Sequence, residues 1–282
     1  MRPRRSVLYM PGANERALEK AKSLPADALI LDLEDAVAPD AKVAARDRVC
    51  AAVGGYGDRE VTIRVNGAGT PWHSDDLRAA GEAGPAAVVV PKVNSVAEVH
   101  ALERALAHAP DHTKIWAMIE TPVAVLHAAD IAAASDRLTV LVLGTNDLAK
   151  ELYAEQVPGR GPLLGALSTC VLAARATGRV ILDGVYNDVR DAEGFAAECA
   201  QGRQFGFDGK TLIHPSQLEP CNRIFAPSAD EVDHARRVIE AFDEATREGR
   251  GVATVDGRMI ENLHVDNARR ILELADAVGG RG

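Results

Sequence analysis

The chain has 282 residues, of which 47% are hydrophobic and 26% charged, and its formal net charge at pH 7 is -9. This is the composition of a globular protein with a sizeable core, which excludes a disordered chain. The negative charge argues against binding to nucleic acid or to an anionic membrane, because both would meet a like-charged surface. No apolar run approaches the ~20 residues that span a bilayer, and the basic opening MRPRRSVLYMPG has no long apolar segment, so we expect a cytoplasmic protein.

Eight short apolar runs predict strands, and they begin at Ser6, Ala28, Val61, Ala87, Lys114, Leu138, Arg179 and Gly209. Several are apolar at every position, which is typical of strands covered on both faces. Segments of helical periodicity lie between them; Asn14 is an expected N-cap, and Ser95 with Glu98 an expected capping box. The repeated strand-helix unit predicts an α/β fold, a (β/α)8 TIM barrel over residues 1–226.

Residues 227–282 predict a C-terminal extension of the barrel. A helix is expected after a cap at Ser228, followed by a glycine-hinged strand-like piece and a final amphipathic helix. The first strand-helix turn lacks GxGxxG, which argues against a dinucleotide site.

Cysteine and histidine patterns favour neither zinc nor serine chemistry. The four cysteines form no CxxC pair, and we expect four reduced thiols. The eight histidines form no HExxH motif, and no GxSxG elbow is present. His214 either contacts a ligand or simply enters a helix beside Pro215.

Charged residues recur where the predicted strands stop, namely at Glu34, Asp35, Arg64, Lys92, Glu120, Asp147, Asp183 and Lys210. The carboxyl ends of barrel strands open onto one face, so these side chains are expected around one small volume. Two of them, Glu120 and Asp147, end consecutive strands whose interior positions are uncharged. Two carboxylates without His or Cys suit Mg²⁺ better than zinc. The alternative is that each caps a helix or pairs with a lysine.

Arg64 follows a β-branched strand, where a guanidinium needs a carboxylate or phosphate partner. The partner is either a substrate carboxylate or a salt bridge to Glu34 or Asp35, and both can hold. Side-chain alternation places Asp32 and Glu34 on one side of the chain and Asp35 on the other. We expect Glu34 or Asp35 to orient water or Arg64, and Asp32 to be a buried structural partner.

The chain resembles the citrate lyase β subunit-like branch of the HpcH/HpaI aldolase superfamily, and within it the (3S)-malyl-CoA thioesterases and malyl-CoA lyases. The resemblance runs end to end through SVLYMPGANERALEKA, LILDLEDAV, IRVNG, VVPKV, AMIET, GTNDLAKEL, LDGVYND, GFDGKTLIHPSQ and VDGRMIENLH. It implies Mg²⁺, with Mn²⁺ as an alternative, on Glu120 and Asp147, and a substrate carboxylate bound by Arg64. It also implies that Asp256 of VDGRM is brought over a neighbouring subunit's active site, in a homotrimer or hexamer. The C-terminal tail would then act as a lid, for which its flanking glycines are suited.

The resemblance further implies a CoA-ester substrate across the barrel mouth. The expected contacts are the Pro11-Gly12 turn, the following helix start, and Lys42, Arg46 or Lys210; the alternative is that these basic groups are only solvated helix-end charges. Many relatives carry an acidic residue immediately before the metal aspartate, where this chain has Asn146. That departure makes the site one charge less negative.

The implied reaction is hydrolysis of (3S)-malyl-CoA to malate and CoA. The alternative on the same scaffold is a lyase that cleaves malyl-CoA, β-methylmalyl-CoA or citramalyl-CoA to an acyl-CoA and a 2-oxo acid. A pyruvate-type aldolase that uses no CoA is a further enzymatic alternative. An alternative of another class is a catalytically silent CoA-binding regulatory protein.

Overall fold

The computed structural model describes residues 2–280. They form two compact units, one of Arg4–Asn222 and a second that begins at Arg223. Across residues 2–280, no helix combines the length and the apolarity that a membrane span needs.

Eight parallel strands of the first unit close into a barrel in chain order, with β8 paired to β1. All eight match the predicted apolar runs, which confirms the TIM barrel. They are β1 (Ser6–Pro11), β2 (Ala28–Asp32), β3 (Glu60–Arg64), β4 (Ala87–Val90), β5 (Lys114–Ile119), β6 (Leu138–Leu143), β7 (Val180–Asp183) and β8 (Gly209–Leu212).

Helices follow the strands and cover the barrel. They are α1 (Glu15–Ala21), α2 (Lys42–Ala52), α3 (His73–Ala83), α4 (Val96–Ala105), α5 (Pro122–Leu126), α6 (Ala128–Ala133), α7 (Thr145–Glu151), α8 (Leu164–Ala176), α9 (Ala192–Phe205) and α10 (Leu218–Phe225). Asn14 caps α1 as predicted, through the Ala17 N–H. The predicted capping box at Ser95 is half right: its hydroxyl accepts from the Glu98 N–H, but the Glu98 carboxylate accepts from the Asn94 N–H instead.

Alternate strand positions share one apolar face and pack together as a buried core that includes Val7, Ile30, Val89, Trp116 and Val142. Side chains two residues apart on a strand point the same way. Continuing that alternation toward the carboxyl ends leads from these apolar residues to polar ones, so the core supports a polar layer at the barrel's open face.

The second unit is built from two helices and a hairpin: α11 (Ala229–Arg247), β9 (Ala253–Val255), β10 (Arg258–Ile260) and α12 (Asn262–Gly279). Ser228 and Glu231 form a reciprocal capping box at the start of α11. The strand-like piece of the sequence is an antiparallel pair, β9 with β10. Ala235, Val238, Ile260 and Val265 belong to this unit's own buried apolar cluster.

Candidate active site

A cavity of about 300 Å³ lies at the carboxyl ends of the strands, and Glu120, Asp147, Arg64 and Asp35 line it. These residues come from the ends of β2, β3, β5 and β6. The predicted convergence is found for these four residues. It is wrong for Asp183 and Lys210, which pair with each other away from this cavity.

Glu120 is almost completely buried at the end of β5, and its Oε1 accepts a 2.9 Å hydrogen bond from the Lys92 N–H. Burial, together with the negative charges of Asp147 and Glu34, raises its pKa to about 8. The first residue after β6 must be glycine here, because a Cβ on Gly144 would overlap the Glu120 carboxylate. The backbone thus leaves a space that this acid fills.

Asp147 lies in the first turn of α7, and its Oδ1 is 3.1 Å from the Lys92 ammonium. The pKa of Lys92 is raised above its usual value, chiefly by the hydrogen bond to Asp147. Lys92 also has a positive φ of 51°, an uncommon backbone conformation for a residue with a side chain. It therefore contacts both predicted metal ligands, one through its backbone and one through its side chain.

Arg64 is held by three carboxylates and an aromatic ring. Asp32 accepts bonds of 2.6 Å from Nε and 2.7 Å from Nη2, while Nη1 lies 2.8 Å from Glu34 and 3.4 Å from Asp35. The guanidinium also stacks over Tyr9, with 4.7 Å to the ring centroid. Asp32 is fully buried and is the structural partner that was predicted.

The predicted separation of Asp35 from Asp32 and Glu34 is wrong. Strand alternation ends at Asp32, because β2 stops there and the chain turns; Asp32 itself accepts from the Glu34 and Ala36 N–H groups. As a result, all three acids reach Arg64. Burial is the largest influence on Glu34 and raises its pKa to about 7, against the opposing effect of Arg64.

Two of the predicted CoA contacts are wrong because their charges are used inside the protein. Lys210 has no exposed surface, and its ammonium lies 3.2 Å from Asp183 and 2.7 Å from Glu198. Arg46 is buried, with its Nε 2.6 Å from Asp76. Sequence position placed both near the barrel mouth, but pairing with residues distant in the chain decides where each charge points.

Lys42 is also engaged internally. Its ammonium donates to the carbonyls of Leu33 and Glu34, at 2.8 and 2.7 Å, and lies over the Trp72 ring. It therefore holds the loop that follows β2. Gly12 donates to the Asp32 carbonyl at 2.9 Å, and a Cβ there would overlap both that oxygen and Val49. The Pro11-Gly12 turn is thus closely packed onto the start of the same loop.

Lys210 is the second residue of β8 and therefore does not lie at the carboxyl end of that strand, contrary to the prediction. It belongs to a buried ion network with Asp183, the last residue of β7. Arg160, in a 3-10 helix at Pro158–Leu163, donates to Asp183 at 2.7 Å and to Gln201 at 2.8 Å. Burial opposes the charge on Lys210, yet Asp183 and Glu198 raise its pKa. We call Arg160, Asp183, Glu198 and Lys210 the balanced network, since it contains two acids and two bases.

A second cavity of about 430 Å³ lies beside the first and shares Thr145, Asn146, Val185 and Asn187 with it. Asn146 and Asn187 exchange hydrogen bonds of 3.0 and 2.8 Å, and Gln156 donates to Asn146 at 3.2 Å. The residue that departs from many relatives is thus part of an amide pair between the first turn of α7 and the loop after β7.

Asp256 lies in the second unit, at the turn of the β9–β10 hairpin. Its Oδ2 accepts a 2.9 Å bond from Arg237 and lies 3.2 Å from the Nδ1 of His234. The pKa of Asp256 is lowered, first by the hydrogen bond to Arg237 and then by the charge of Arg237.

Sequence reasoning named Lys92 among the strand-end charges but gave it no role, and it missed Tyr9 and Asn187 as neighbours of the site. The position of Tyr9 on β1 was a signal for that residue. His214 caps a short 3-10 helix, since its ring accepts from the Ser216 N–H, and so it is the helix-entry residue of the two alternatives. The four thiols are free, as predicted.

The cavity's acids fit a small divalent cation. Burial and mutual repulsion raise the pKa values of Glu120 and Glu34, because Arg64 and Lys92 do not offset the negative charge that the acids would carry if all were ionised. A bound cation would favour the ionised forms. Over residues 2–280, no group of three or more His, Cys, Asp or Glu side chains is arranged to hold a metal. A pair of carboxylates is nonetheless sufficient for Mg²⁺, which keeps several water or substrate oxygens in its coordination shell.

Comparison with known proteins gives two family matches. Residues 5–215 match the HpcH/HpaI aldolase/citrate lyase family, and residues 161–279 match the C-C bond lyases of the TIM-barrel fold. Both overlap the barrel, and the second extends over most of the C-terminal unit.

Individual relatives match over nearly their whole length. The (3S)-malyl-CoA thioesterase of Cereibacter sphaeroides strain KD131 is 53% identical, over 98% of this chain and 96% of the relative. The citrate lyase subunit beta of Escherichia coli K12 is 39% identical, over 99% and 96%. The protein CitE from Mycobacterium tuberculosis, solved in complex with magnesium, acetoacetate and coenzyme A, superposes with a TM-score of 0.79 at 32% identity, over 96% of this chain and 97% of that chain. By these matches the chain belongs to the HpcH/HpaI aldolase/citrate lyase family.

Proposed function

We propose that this protein is a Mg²⁺-dependent enzyme that hydrolyses (3S)-malyl-CoA to malate and CoA. The observation that carries the proposal is the 53% identity to a (3S)-malyl-CoA thioesterase over 98% of the chain. The cavity supports it, because it combines unneutralised carboxylates with the Arg64 guanidinium at the open face of the barrel.

Glu120 and Asp147 would hold Mg²⁺, and Mn²⁺ is an alternative with the same preference for oxygen ligands. When bound, the cation would polarise substrate oxygens and offset negative charge that develops during reaction. The magnesium in the related Mycobacterium tuberculosis complex supports this choice of metal.

Arg64 would bind the carboxylate of the acid. Asp32 holds its Nε and Nη2, which fixes the plane of the guanidinium and leaves Nη1 toward the more exposed Glu34 and Asp35. A carboxylate ligand at Nη1 would therefore meet a donor that is already oriented. Glu34 and Asp35 would then position Arg64 and the attacking water.

The CoA part of the ester would lie against Pro11 and Gly12 and the start of α1. Lys42 would act indirectly, by holding the loop after β2 through its carbonyls. Asp256 would be the proton-transfer group, supplied by the C-terminal unit to a neighbouring subunit's active site in a homotrimer or hexamer. The matched relatives cover both the barrel and the C-terminal segment.

Hydrolysis and carbon-carbon cleavage are separated by their products. Purified protein incubated with Mg²⁺ and malyl-CoA should release malate and free CoA, and a chelator should stop the reaction. Glyoxylate with acetyl-CoA would instead establish the lyase alternative, which the 39% identity to a citrate lyase β subunit favours. If the protein turned over none of malyl-, β-methylmalyl- and citramalyl-CoA, both the hydrolase and the lyase alternatives would be contradicted.

A further inference from the structure

Asp256 and Gly257 form the two-residue turn that joins β9 to β10, and both have a positive φ, of 50° and 75°. An Asp-Gly pair is a favoured sequence for such a hairpin turn. The backbone alone therefore explains the residue types. It does not explain what the Asp256 side chain contacts, and that side chain is 58% exposed.

Two cationic or proton-donating groups on one face of α11 hold the Asp256 carboxylate. Arg237 Nη2 is 2.9 Å and His234 Nδ1 is 3.2 Å from the same oxygen, Oδ2. Arg237 and His234 are three residues apart in the sequence, so they are neighbours on the helix surface. Arg237 Nη2 is 3.4 Å from His234 Nδ1. Both contacts are to Oδ2, so they fix the orientation of the carboxylate. Oδ1 takes part in neither contact.

The same contacts set the charge of Asp256. Arg237 and His234 are the titratable groups that face it from α11, and the pKa of Asp256 is lowered first by the hydrogen bond to Arg237 and then by its charge, with a smaller effect from His234. A carboxyl group in this environment is ionised at neutral pH, so it can accept a proton. An exposed carboxylate without partners would have the same charge but no preferred orientation.

We propose that Arg237 and His234 are positioning residues, an inference that rests on the proposed role of Asp256 at a neighbouring active site. They orient the Asp256 carboxylate so that its Oδ1 receives the proton of the attacking water. The water oxygen bonds to the thioester carbonyl carbon, the carbon-sulfur bond breaks, and the leaving sulfur takes the proton back from Asp256. The products are the free acid and the CoA thiol, with no other reactant required.

The test compares Arg237→Met with Arg237→Lys and with Arg236→Met. Arg236 is the matched control, because it precedes Arg237 on the same helix and pairs with Asp233 on the surface. Arg237→Met should lower kcat about 10- to 100-fold, a part of the ~10²–10⁴-fold that general-base catalysis contributes, with KM unchanged. Arg237→Lys should restore most of kcat, and Arg236→Met should equal the unmodified protein.

The pH profile separates positioning from a purely structural effect. Asp256 with a lowered pKa is a base down to low pH, so the loss of Arg237 should move the acidic limb of kcat to higher pH. His234→Ala should move it the same way but less, and His234→Asn, which keeps a donor near Nδ1, should restore part of the effect. A lower melting temperature with an unmoved pH limb would overturn the proposal in favour of hairpin stability alone.

A double-mutant cycle completes the test. If Arg237 acts through Asp256, Arg237→Met should cost nothing further in an Asp256→Asn background. A full additional loss in that background would overturn the inference. Should Asp256→Asn itself leave turnover intact, the proposed role of Asp256 is wrong; should Asp256→Asn remove turnover while Arg237→Met changes neither kcat nor its pH dependence, only the positioning role is wrong.

Discussion

Two groups of charged side chains lie in the barrel unit, and they differ in charge balance. Around the first cavity, two basic groups, Arg64 and Lys92, face five acids, which are Asp32, Glu34, Asp35, Glu120 and Asp147. In the balanced network, Asp183 and Glu198 are matched by Arg160 and Lys210.

The difference shows that burial of charge is not by itself a sign of function. The balanced network pairs two acids with two bases, although Arg160 Nη2 is a buried donor without a hydrogen-bond partner among residues 2–280. The cavity instead keeps two acids whose pKa values are raised to about 8 and about 7. Acids whose pKa values are raised by burial and repulsion reduce the stability of a fold, and they are typical of binding and catalytic sites. A bound cation would therefore be stabilised more strongly in this cavity than beside the balanced network.

The largest expected effect is the loss of activity in Glu120→Gln. Turnover of malyl-CoA should fall about 10³- to 10⁴-fold, since a Lewis-acid metal contributes several kcal/mol. The melting temperature should not fall, because the amide removes a buried, repelled charge and still accepts from the Lys92 N–H. Release of free CoA thiol and thermal unfolding measure the two quantities.

The control for Glu120→Gln is Asp130→Asn, an exposed acid on α6 whose ion-pair contact is with His127. It should change neither quantity. Retained turnover in Glu120→Gln would contradict the proposed metal site. A marked drop in melting temperature would show that Glu120 has a structural role, like that of Asp183.

Lys210→Met should give the opposite result, a loss of stability. Removing one partner of a buried ion pair costs about 3–5 kcal/mol, because the remaining charges are left without compensation. Denaturant unfolding would measure the change. Lys22→Met is the comparison, since Lys22 pairs on the surface with Glu19 and should change the free energy of unfolding by less than about 0.5 kcal/mol. An unchanged stability with weaker CoA binding would restore Lys210 as a ligand contact.

The smallest expected effect concerns Lys92→Met. The Lys92 ammonium is 3.1 Å from Asp147, so it competes with a divalent cation for that carboxylate. A partly exposed pair of this kind contributes ~0.2–1 kcal/mol, and Mg²⁺ affinity in the absence of substrate should rise about 2- to 5-fold. Calorimetric titration would measure it, with Lys114→Met as control. Weaker Mg²⁺ binding would mean that Lys92 supports the cation site through Asp147.

The fold was predictable because local signals agree. Each strand is a short apolar run, and the caps at Asn14 and Ser228 were visible as residue types before amphipathic segments. Glu120 and Asp147 could be assigned to one cavity without coordinates, because parallel barrel strands bring their ends together whatever their distance in the chain.

The charge partners were not predictable in the same way. Lys210 is neutralised by Glu198 on α9 and by Asp183 on β7, and nothing in the GKTLI string indicates which residues face it. Asp35 reaches Arg64 because β2 ends at Asp32, and strand boundaries are the least certain part of a pattern-based prediction. Lys92 has a left-handed backbone conformation. The VVPKV string does not predict it, because lysine rarely adopts a positive φ.

Gly144 restricts how this barrel can diversify. Any side chain there would collide with Glu120, so residue 144 cannot gain a side chain while Glu120 keeps its position. Asn146, two residues on, lines the open space of both cavities and is under no such restriction. Variation in substrate preference among descendants of this sequence would therefore accumulate at 146 and leave 144 unchanged.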